Sequence, residues 1–258
     1  MSLPTWTPAA LSSEFRSYVG AGWRLVEAQH RVSTLKLTDT LAEQALLEDL
    51  IEGSKPAMPP ECQHLDFLFA TPFRYGAAYP NGSRFRRAGR TLGVFYAAER
   101  PITAVAEMAF YRLLFFAESP KTPWPNDAAE YTAFSADVAS HGLLDLTQAP
   151  LSKEEALWTD LMNYEGCQAF AEAARAAEAD VIRYRSVRDP AQGINLAILA
   201  CRAFARPAPG ERQTWRMRLS ASGVQALCEF PRQAVEFPRN VFAADPRIAG
   251  LNWDRAGA

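Results

Sequence analysis

The chain has 258 residues, of which 48% are hydrophobic and 22% are charged, a composition typical of a globular protein. Its formal net charge of −2 excludes the strongly basic field that would draw a protein to nucleic acid or to an anionic membrane surface. We therefore expect no direct contact with nucleic acid and no association with a membrane.

Four widely spaced cysteines, Cys62, Cys167, Cys201 and Cys228, form no CxxC pair. This spacing indicates neither a zinc site nor a redox motif. The first residues lack the basic start and apolar run of a signal peptide. The expectation is a cytoplasmic, reduced protein.

The first third of the chain predicts a strand over residues 22–28 and a helix over residues 39–52. The helix carries apolar residues at helical spacing, begins with Asp39 as its cap and stops at Gly53. Residues 65–69 form a short apolar stretch that fits a strand or a helix turn. A strand over 93–96 and a helix from Pro101 to about residue 116 follow.

The second half predicts separate strands over residues 131–138 and 143–146. Ser152 and Glu155 have the spacing of a capping box, which predicts a helix beginning there. A helix over 167–179 and further strands over 181–184, 215–219 and 225–230 complete the pattern, whereas residues 191–202 fit either a helix or a strand. This irregular mixture favours the α+β class over a doubly wound parallel sheet, in one domain spanning residues 1–258.

Several reaction classes lack their motifs in this sequence. It contains no GxGxxG, GxxxxGK[ST] or GxSxG segment. Its three histidines, His30, His64 and His141, lie far apart, so a histidine-based triad or metal cluster is poorly supported. We expect no metal.

Residues 82–112 hold the most informative stretch. Arg84 and Arg86 lie in a turn-rich basic segment, Tyr96 ends a short apolar strand, and Glu107 follows in a helix. Taken singly, each residue would ordinarily belong to a solvated surface or a half-buried strand. Glu107 is the exception, because its small and apolar neighbours indicate a carboxylate that faces a pocket or an ion pair. Together the residues suit a ligand that carries phosphate and sugar, since arginine binds phosphate with a planar fork of donors.

A second unusual segment covers residues 183–188, where three arginines, a tyrosine and a serine follow a β-branched pair. Ser186 lies at the predicted strand end, a position from which loops often supply functional groups. Asn195 lies beyond it and fits either a ligand contact or a bond within its own turn.

At these two segments the sequence resembles the RES-domain family. The matching features are the Gly-Ser-Arg-Phe-Arg turn at 82–86, the strand ending in Tyr96, the alanine-rich helix start with Glu107, and the strand end with Ser186 and later Asn195. The resemblance covers about residues 73–199, and Arg24 falls in a segment similar to the family's opening strand. Phe85 and Arg86 stand where the family usually has tryptophan and asparagine, so either Arg84 or Arg86 takes the family's arginine position; Arg84 is preferred because it directly follows Gly-Ser.

The resemblance implies an ADP-ribosyltransferase-like α+β fold, with mixed or antiparallel sheets and flanking helices. This chain departs from the compact members of the family by its greater length, with a helical insertion at about residues 31–60. The implied activity is that of a toxin in a toxin–antitoxin pair, which consumes NAD by hydrolysis or phosphorolysis of the nicotinamide–ribose bond. The implied partner is a cognate antitoxin protein resembling Xre, MbcA or ParS.

The same resemblance implies roles for individual residues. Glu107 would stabilise the cationic sugar, and Ser186 would bond to the ribose or the nucleophile. Arg84, supported by Arg74 or Arg86, would hold the pyrophosphate. Tyr96 would stack on nicotinamide or shape its slot. Further NAD-binding residues would be Arg24, Arg74, Arg86 and Asn195. Two alternatives stay open: a protein ADP-ribosyltransferase that uses NAD, and a non-enzymatic binding module on the same fold.

Overall fold

The 17-residue strand β3 (Ala129–Asp145) organises the sheet in this computed structural model, which describes residues 6–27, 34, 37–75 and 82–255. Strand β1 (Arg16–Glu27) runs antiparallel along nearly the whole of β3. On the other edge of β3, its first half pairs antiparallel with β6 (Arg212–Ser220), and its last residues pair in parallel with β4 (Val181–Arg185). Strand β3 thus pairs with three neighbouring strands.

Two short strands close a ring on one side of β3. Strand β2 (Phe95–Ala98) pairs with β1 and with β5 (Ile194–Ile198), and β5 pairs with β4. The order β1-β2-β5-β4-β3 therefore returns to β1. Beyond β6, strands β7 (Gly223–Cys228) and β8 (Gln233–Pro238) extend the sheet antiparallel.

Helices flank this sheet, and together with it they confirm the predicted α+β class. Their bounds are α1 (Pro8–Ser12), α2 (Leu41–Ser54), α3 (Phe67–Arg74), α4 (Pro101–Glu118), α5 (Glu155–Trp158), α6 (Glu165–Ala176) and α7 (Pro246–Ala249). Short 3-10 turns lie at Pro60–Cys62, Leu151–Glu154 and Cys201–Ala203.

Two predicted elements differ from the structure. The predicted pair of strands over 131–138 and 143–146 is one continuous strand, in which the pairing with β1 continues on both sides of a register shift at His141–Gly142. The predicted capping box at Ser152 and Glu155 is wrong, since Ser152 lies inside a 3-10 turn and the α-helix that follows has only four residues.

Three clusters of buried side chains hold the layers together. Helix α4 packs its apolar side on β1, β6 and β7 around Phe110 and Trp215, and α6 packs around Phe170 in a second cluster. The third cluster joins α3 to the closed ring, where the rings of Phe69 and Phe204 stack with their centroids 4.6 Å apart. Helix α4 is thereby fixed on the sheet over most of its length.

Cys62 and Cys201 form a disulfide between two of the 3-10 turns, with their Cα atoms 5.6 Å apart. Both side chains are buried. The bond corrects the expectation of a fully reduced chain, which rested on the lack of a CxxC motif and took no account of pairing across 139 residues.

The segment predicted as a helical insertion, about residues 31–60, is described at residue 34 and from residue 37 onwards. It contains α2, which begins with the capping box of Thr40 and Glu43 and has no buried side chain. Its cap is Thr40, one residue after the predicted Asp39. That this segment is an insertion into a single domain stays a prediction.

Within the described ranges, no helix has the length and apolarity that a membrane crossing requires. Among the same residues, no cluster of three or more histidine, cysteine, aspartate or glutamate side chains is arranged to hold a metal ion.

Candidate active site

A cavity of about 280 Å³ opens between the start of α4, strands β1, β2 and β5, and the turn at 83–86. Five of the predicted site residues line it, namely Arg24, Arg84, Tyr96, Glu107 and Asn195. A sixth, Ser186, is buried and touches the cavity's carboxylate. The structure thus brings together residues that lie as far apart in the chain as 24 and 195.

Glu107 lies in the second turn of α4, where its neighbours Thr103, Ala106 and Phe110 are buried. Its Oε1 atom accepts hydrogen bonds from Ser186 Oγ at 2.7 Å and from Asn195 Nδ2 at 2.6 Å. Both bonds involve a charged acceptor and are therefore short and strong. They hold the carboxylate in one orientation at the cavity wall.

Ser186 directs its proton toward Glu107 because its other sites are used. Its Oγ accepts the backbone N–H groups of Arg188 at 3.1 Å and of Asp189 at 3.0 Å. A serine hydroxyl has one proton to donate and two lone pairs to accept with. The turn after β4 therefore fixes the direction of the Ser186 hydroxyl.

The turn after β4 is attached to the first turn of α4. Asp189 Oδ2 accepts a hydrogen bond from Thr103 Oγ1 at 2.7 Å. Gly193 lies against the same pair, and a Cβ atom there would lie 2.2 Å from Thr103 Oγ1. Only glycine permits this close approach, which sets the distance between Glu107 and the end of β4.

Arg84 is 8% exposed, and its guanidinium donates to the carbonyls of Trp158 at 2.7 Å and Asp160 at 2.9 Å. Its Cζ atom lies 4.6 Å from the centroid of the Tyr164 ring. Throughout the part of the chain that the structure describes, no carboxylate forms an ion pair with Arg84. Within those described residues, its positive charge at the cavity wall has no carboxylate to neutralise it.

Arg24 contributes a second cation. Its Nη1 donates to the carbonyl of Tyr96 at 2.9 Å, and its Cζ lies 5.0 Å from the Phe95 ring centroid. Burial lowers the pKa of Arg24 to about 10, which leaves the guanidinium protonated at neutral pH. Among the described residues it too has no carboxylate in an ion pair.

Tyr96 holds the turn at 83–86 in place. Its hydroxyl shares a hydrogen bond with Ser83 Oγ at 2.8 Å and accepts the backbone N–H of Phe85 at 2.9 Å. Burial raises the pKa of Tyr96 to about 12, so the phenol stays neutral. Its ring faces the cavity, while its polar end positions the turn that carries Arg84.

Two predicted binding residues lie elsewhere. Arg74 ends α3, and its guanidinium bonds to Glu52 Oε1 at 2.5 Å and to the carbonyl of Pro56. Arg86 is buried, and its carbonyl accepts the N–H of Ser83. Neither is among the described residues that line the cavity, so of the two arginines in the turn it is Arg84 that faces it.

The sequence did not single out several aromatic residues of the cavity, namely Trp23, Tyr111, Tyr164 and Tyr184. Burial raises the pKa of Tyr111 and of Tyr184 above the usual value, so both phenols are neutral. Arg188 also lines the cavity, and its position two residues after Ser186 in the sequence is the feature that could have identified it as a cavity residue. The aromatic wall can hold a flat ring.

The charged groups at the cavity wall can interact with both cationic and anionic parts of a ligand. The Glu107 carboxylate can oppose positive charge that develops on a ligand, and Arg24 and Arg84 can bind an anionic group. Asn195 Oδ1 is buried and accepts no hydrogen bond from any described residue, which leaves an acceptor for a ligand N–H or O–H group.

A likeness to one solved structure extends over nearly the whole chain. The crystal structure of the M. tuberculosis MbcT–MbcA toxin–antitoxin complex contains a chain that matches with a TM-score of 0.45 at 16% identity. The match covers 92% of this chain and 95% of that one. No curated protein gave a significant match.

The sequence also matches a family model, described as the RES domain, over residues 58–220. This match extends the range of about 73–199 over which the motifs resemble the family. It includes the turn at 83–86, Glu107, Ser186 and Asn195, whereas Arg24 lies before it. Because the matched residues make up well over half of the chain, the protein belongs to the RES domain family.

Proposed function

We propose that the protein is an NAD-consuming enzyme that cleaves the bond between nicotinamide and ribose. The observation that carries this proposal is the Glu107 carboxylate, held by Ser186 and Asn195 in a cavity with aromatic walls and two arginines for which the described residues supply no carboxylate partner. These groups match the three parts of the substrate: a flat cationic ring, a sugar and a pyrophosphate.

Cleavage moves positive charge from the nicotinamide ring to the ribose. The electron pair of the bond leaves with the ring nitrogen, which becomes neutral, and C1′ of the sugar becomes electron-deficient. A carboxylate fixed beside that carbon stabilises the transition state more than the ground state. In this proposal Glu107 supplies the negative charge, and the hydroxyl of Ser186 keeps it in place.

An oxygen nucleophile then bonds to C1′. With water the product is ADP-ribose, and the proton of the water passes to solvent; with inorganic phosphate the product carries the phosphate on C1′. A side chain of another protein would give ADP-ribosylation instead. The described residues contain the groups for the first step, which all three outcomes share.

The cavity volume supports a partly enclosed substrate. At about 280 Å³, the cavity lies near the lower limit for pockets that bury a drug-sized ligand. We infer that the nicotinamide–ribose end enters, with Tyr96 and Tyr184 against the ring, and that Arg24 and Arg84 hold the phosphates at the wall. The adenosine end would extend outward.

The decisive test measures free nicotinamide and the fate of ADP-ribose after incubation of the purified protein with NAD. Parallel reactions contain no phosphate, inorganic phosphate, or a mixture of candidate acceptor proteins. Release of nicotinamide supports the proposal, and the product identifies the nucleophile. An NAD pool that stays intact in all three reactions, with the protein folded, would favour the non-enzymatic binding module.

We further propose that the protein acts as a toxin restrained by a cognate antitoxin in the cytoplasm. An enzyme that drains a central cofactor requires restraint in its own cell, and the open cavity between the 83–86 turn and α4 is where an inhibiting segment would enter. Expression from an inducible promoter tests this. We expect growth arrest and falling NAD for the wild type; normal growth with normal NAD at high expression would contradict the toxin role.

A further inference from the structure

A buried ion pair joins the C-terminal part of the chain to the wall of the cavity. Arg188 Nη1 donates to Asp245 Oδ2 at 2.6 Å, and the side chains of the two residues are 4% and 2% exposed. Asp245 lies beyond residue 220, where the family match ends. The pair therefore links the reaction centre to a segment outside the matched region.

Arg188 connects four segments around the cavity. Its Nη2 donates to the carbonyl of Leu161 at 3.1 Å and to the Tyr164 hydroxyl at 3.3 Å. Its Cζ lies 3.8 Å from the ring centroid of Phe110, which follows Glu107 by three residues on the same side of α4. With its guanidinium so fixed, the backbone of Arg188 has little freedom.

That backbone matters because the N–H of Arg188 donates to Ser186 Oγ at 3.1 Å. The carboxylate of Asp245 is itself fixed by Arg247, which donates to both of its oxygens. A line of direct contacts therefore runs from Arg247 through Asp245, Arg188 and Ser186 to Glu107. Each contact in it is a hydrogen bond, and most of the groups are buried.

We propose that Asp245 is a positioning residue for the reaction, acting through Arg188 on the orientation of the Ser186 hydroxyl and thus of Glu107. Only the expected effect of Asp245 on turnover rests on the proposed function. Removing the charge of Asp245 would leave Arg188 without its partner in a buried place, and the turn at 186–189 would relax. A displacement of about 1 Å at a reacting group commonly costs up to about 100-fold in rate.

The experiment compares Asp245→Asn with Asp254→Asn. Asparagine keeps the size of Asp245 and its capacity to cap α7, whereas it removes the charge. Asp254 is the matched control, since it lies in the same segment with an 84% exposed side chain and pairs with Arg239. For Asp245→Asn we expect kcat for NAD to fall about tenfold with KM within about twofold, and for Asp254→Asn no change.

A double-mutant cycle with Ser186→Ala separates positioning from a general loss of stability. If Asp245 acts through Ser186, Asp245→Asn adds less than about twofold to the loss already caused by Ser186→Ala. Fully multiplicative losses would overturn the proposal. If Asp245→Asn does not fold, Asp245→Glu retains the charge and shifts Arg188 by one methylene, and we expect the same fall in kcat.

A second measurement does not depend on the substrate. Hydrogen exchange of the Arg188 and Asp189 amides reports their bonds to Ser186 Oγ in the free protein. We expect faster exchange of these two amides in Asp245→Asn, with the amides of β3 unchanged and Asp254→Asn like the wild type. Unchanged exchange would overturn the proposal even if NAD is turned over, and altered exchange would support it even if NAD is not the substrate.

Discussion

Ser186 Oγ donates a hydrogen bond of 2.7 Å to Oε1 of Glu107, although 79 residues separate the two in the chain. The bond joins the end of β4 to the second turn of α4. It places the Glu107 carboxylate at the cavity wall under the control of a turn whose own geometry is fixed by Thr103 and Gly193. The predictions below follow from that control.

The first prediction concerns Glu107→Gln, which keeps the size of the side chain and removes its charge. We expect NAD turnover to fall by about 10²–10³-fold with substrate binding largely retained, because the role proposed for the carboxylate is to stabilise mainly the transition state. Nicotinamide release and calorimetric NAD binding measure the two effects. Glu118→Gln, at the exposed end of the same helix, is the control and should behave as the wild type. Near-normal turnover in Glu107→Gln would exclude the proposed mechanism.

The second prediction is that Arg84→Ala weakens NAD binding by about 1.5–3 kcal/mol, the usual loss for a hydrogen bond to a charged group. The melting temperature should fall as well, because the carbonyls of Trp158 and Asp160 lose their donor. Arg87→Ala is the matched control, since Arg87 lies in the same turn region and forms a half-buried ion pair with Glu172 outside the cavity lining. Equal Michaelis constants for wild type and Arg84→Ala would remove Arg84 from the binding site.

The third prediction concerns Gly193→Ala. The added methyl group would meet Thr103 Oγ1 at 2.2 Å and Asp189 Oδ2 at 2.5 Å, so the turn must move away from α4. We expect a loss of about 1–3 kcal/mol in the free energy of unfolding, together with lower turnover. Gly250→Ala has no atom within 4 Å of the new methyl group and should leave both quantities unchanged. Denaturant unfolding and the NAD assay test both variants.

The fourth prediction is a pH dependence from Asp245. Burial acts to raise the pKa of its carboxyl, but hydrogen bonds from Arg247 and the charge of Arg188 outweigh burial, and the pKa lies below its usual range. A depressed pKa in the folded state stabilises the fold above the unfolded value of about 3.9, and this contribution is lost as the pH falls further. The melting temperatures of wild type and Asp245→Asn should therefore converge below about pH 4. A constant difference across that range would contradict the assignment.

The sequence predicts the local parts of this molecule well. Pro101 and the apolar run after it indicated α4, and the β-branched pair at Val181 and Ile182 indicated β4, because both signals lie within the element itself. The sequence also pointed to Glu107, Ser186 and Asn195 as candidate site residues, because the motifs that contain them follow one another in a fixed order.

What the sequence failed to predict depends on partners far away in the chain. The helix expected after Ser152 ends at Trp158, where the Arg84 guanidinium donates hydrogen bonds to the carbonyls of Trp158 and Asp160. Arg74 was predicted to bind the ligand, yet it pairs with Glu52 from a segment 22 residues earlier. Asp245 reaches Arg188 across 57 residues and belongs to no motif. None of these contacts leaves a periodic or local signal.

The closed ring of strands has a consequence for synthesis of the chain. Arg24 on β1 is made early, but the ring that places it beside Glu107 requires β4 and β5, and Asp245 is made later still. While the chain grows from its N-terminus, the cavity is incomplete until most of the protein has left the ribosome. A nascent chain therefore lacks the assembled cavity until β4 and β5 have been made and have paired with the earlier strands.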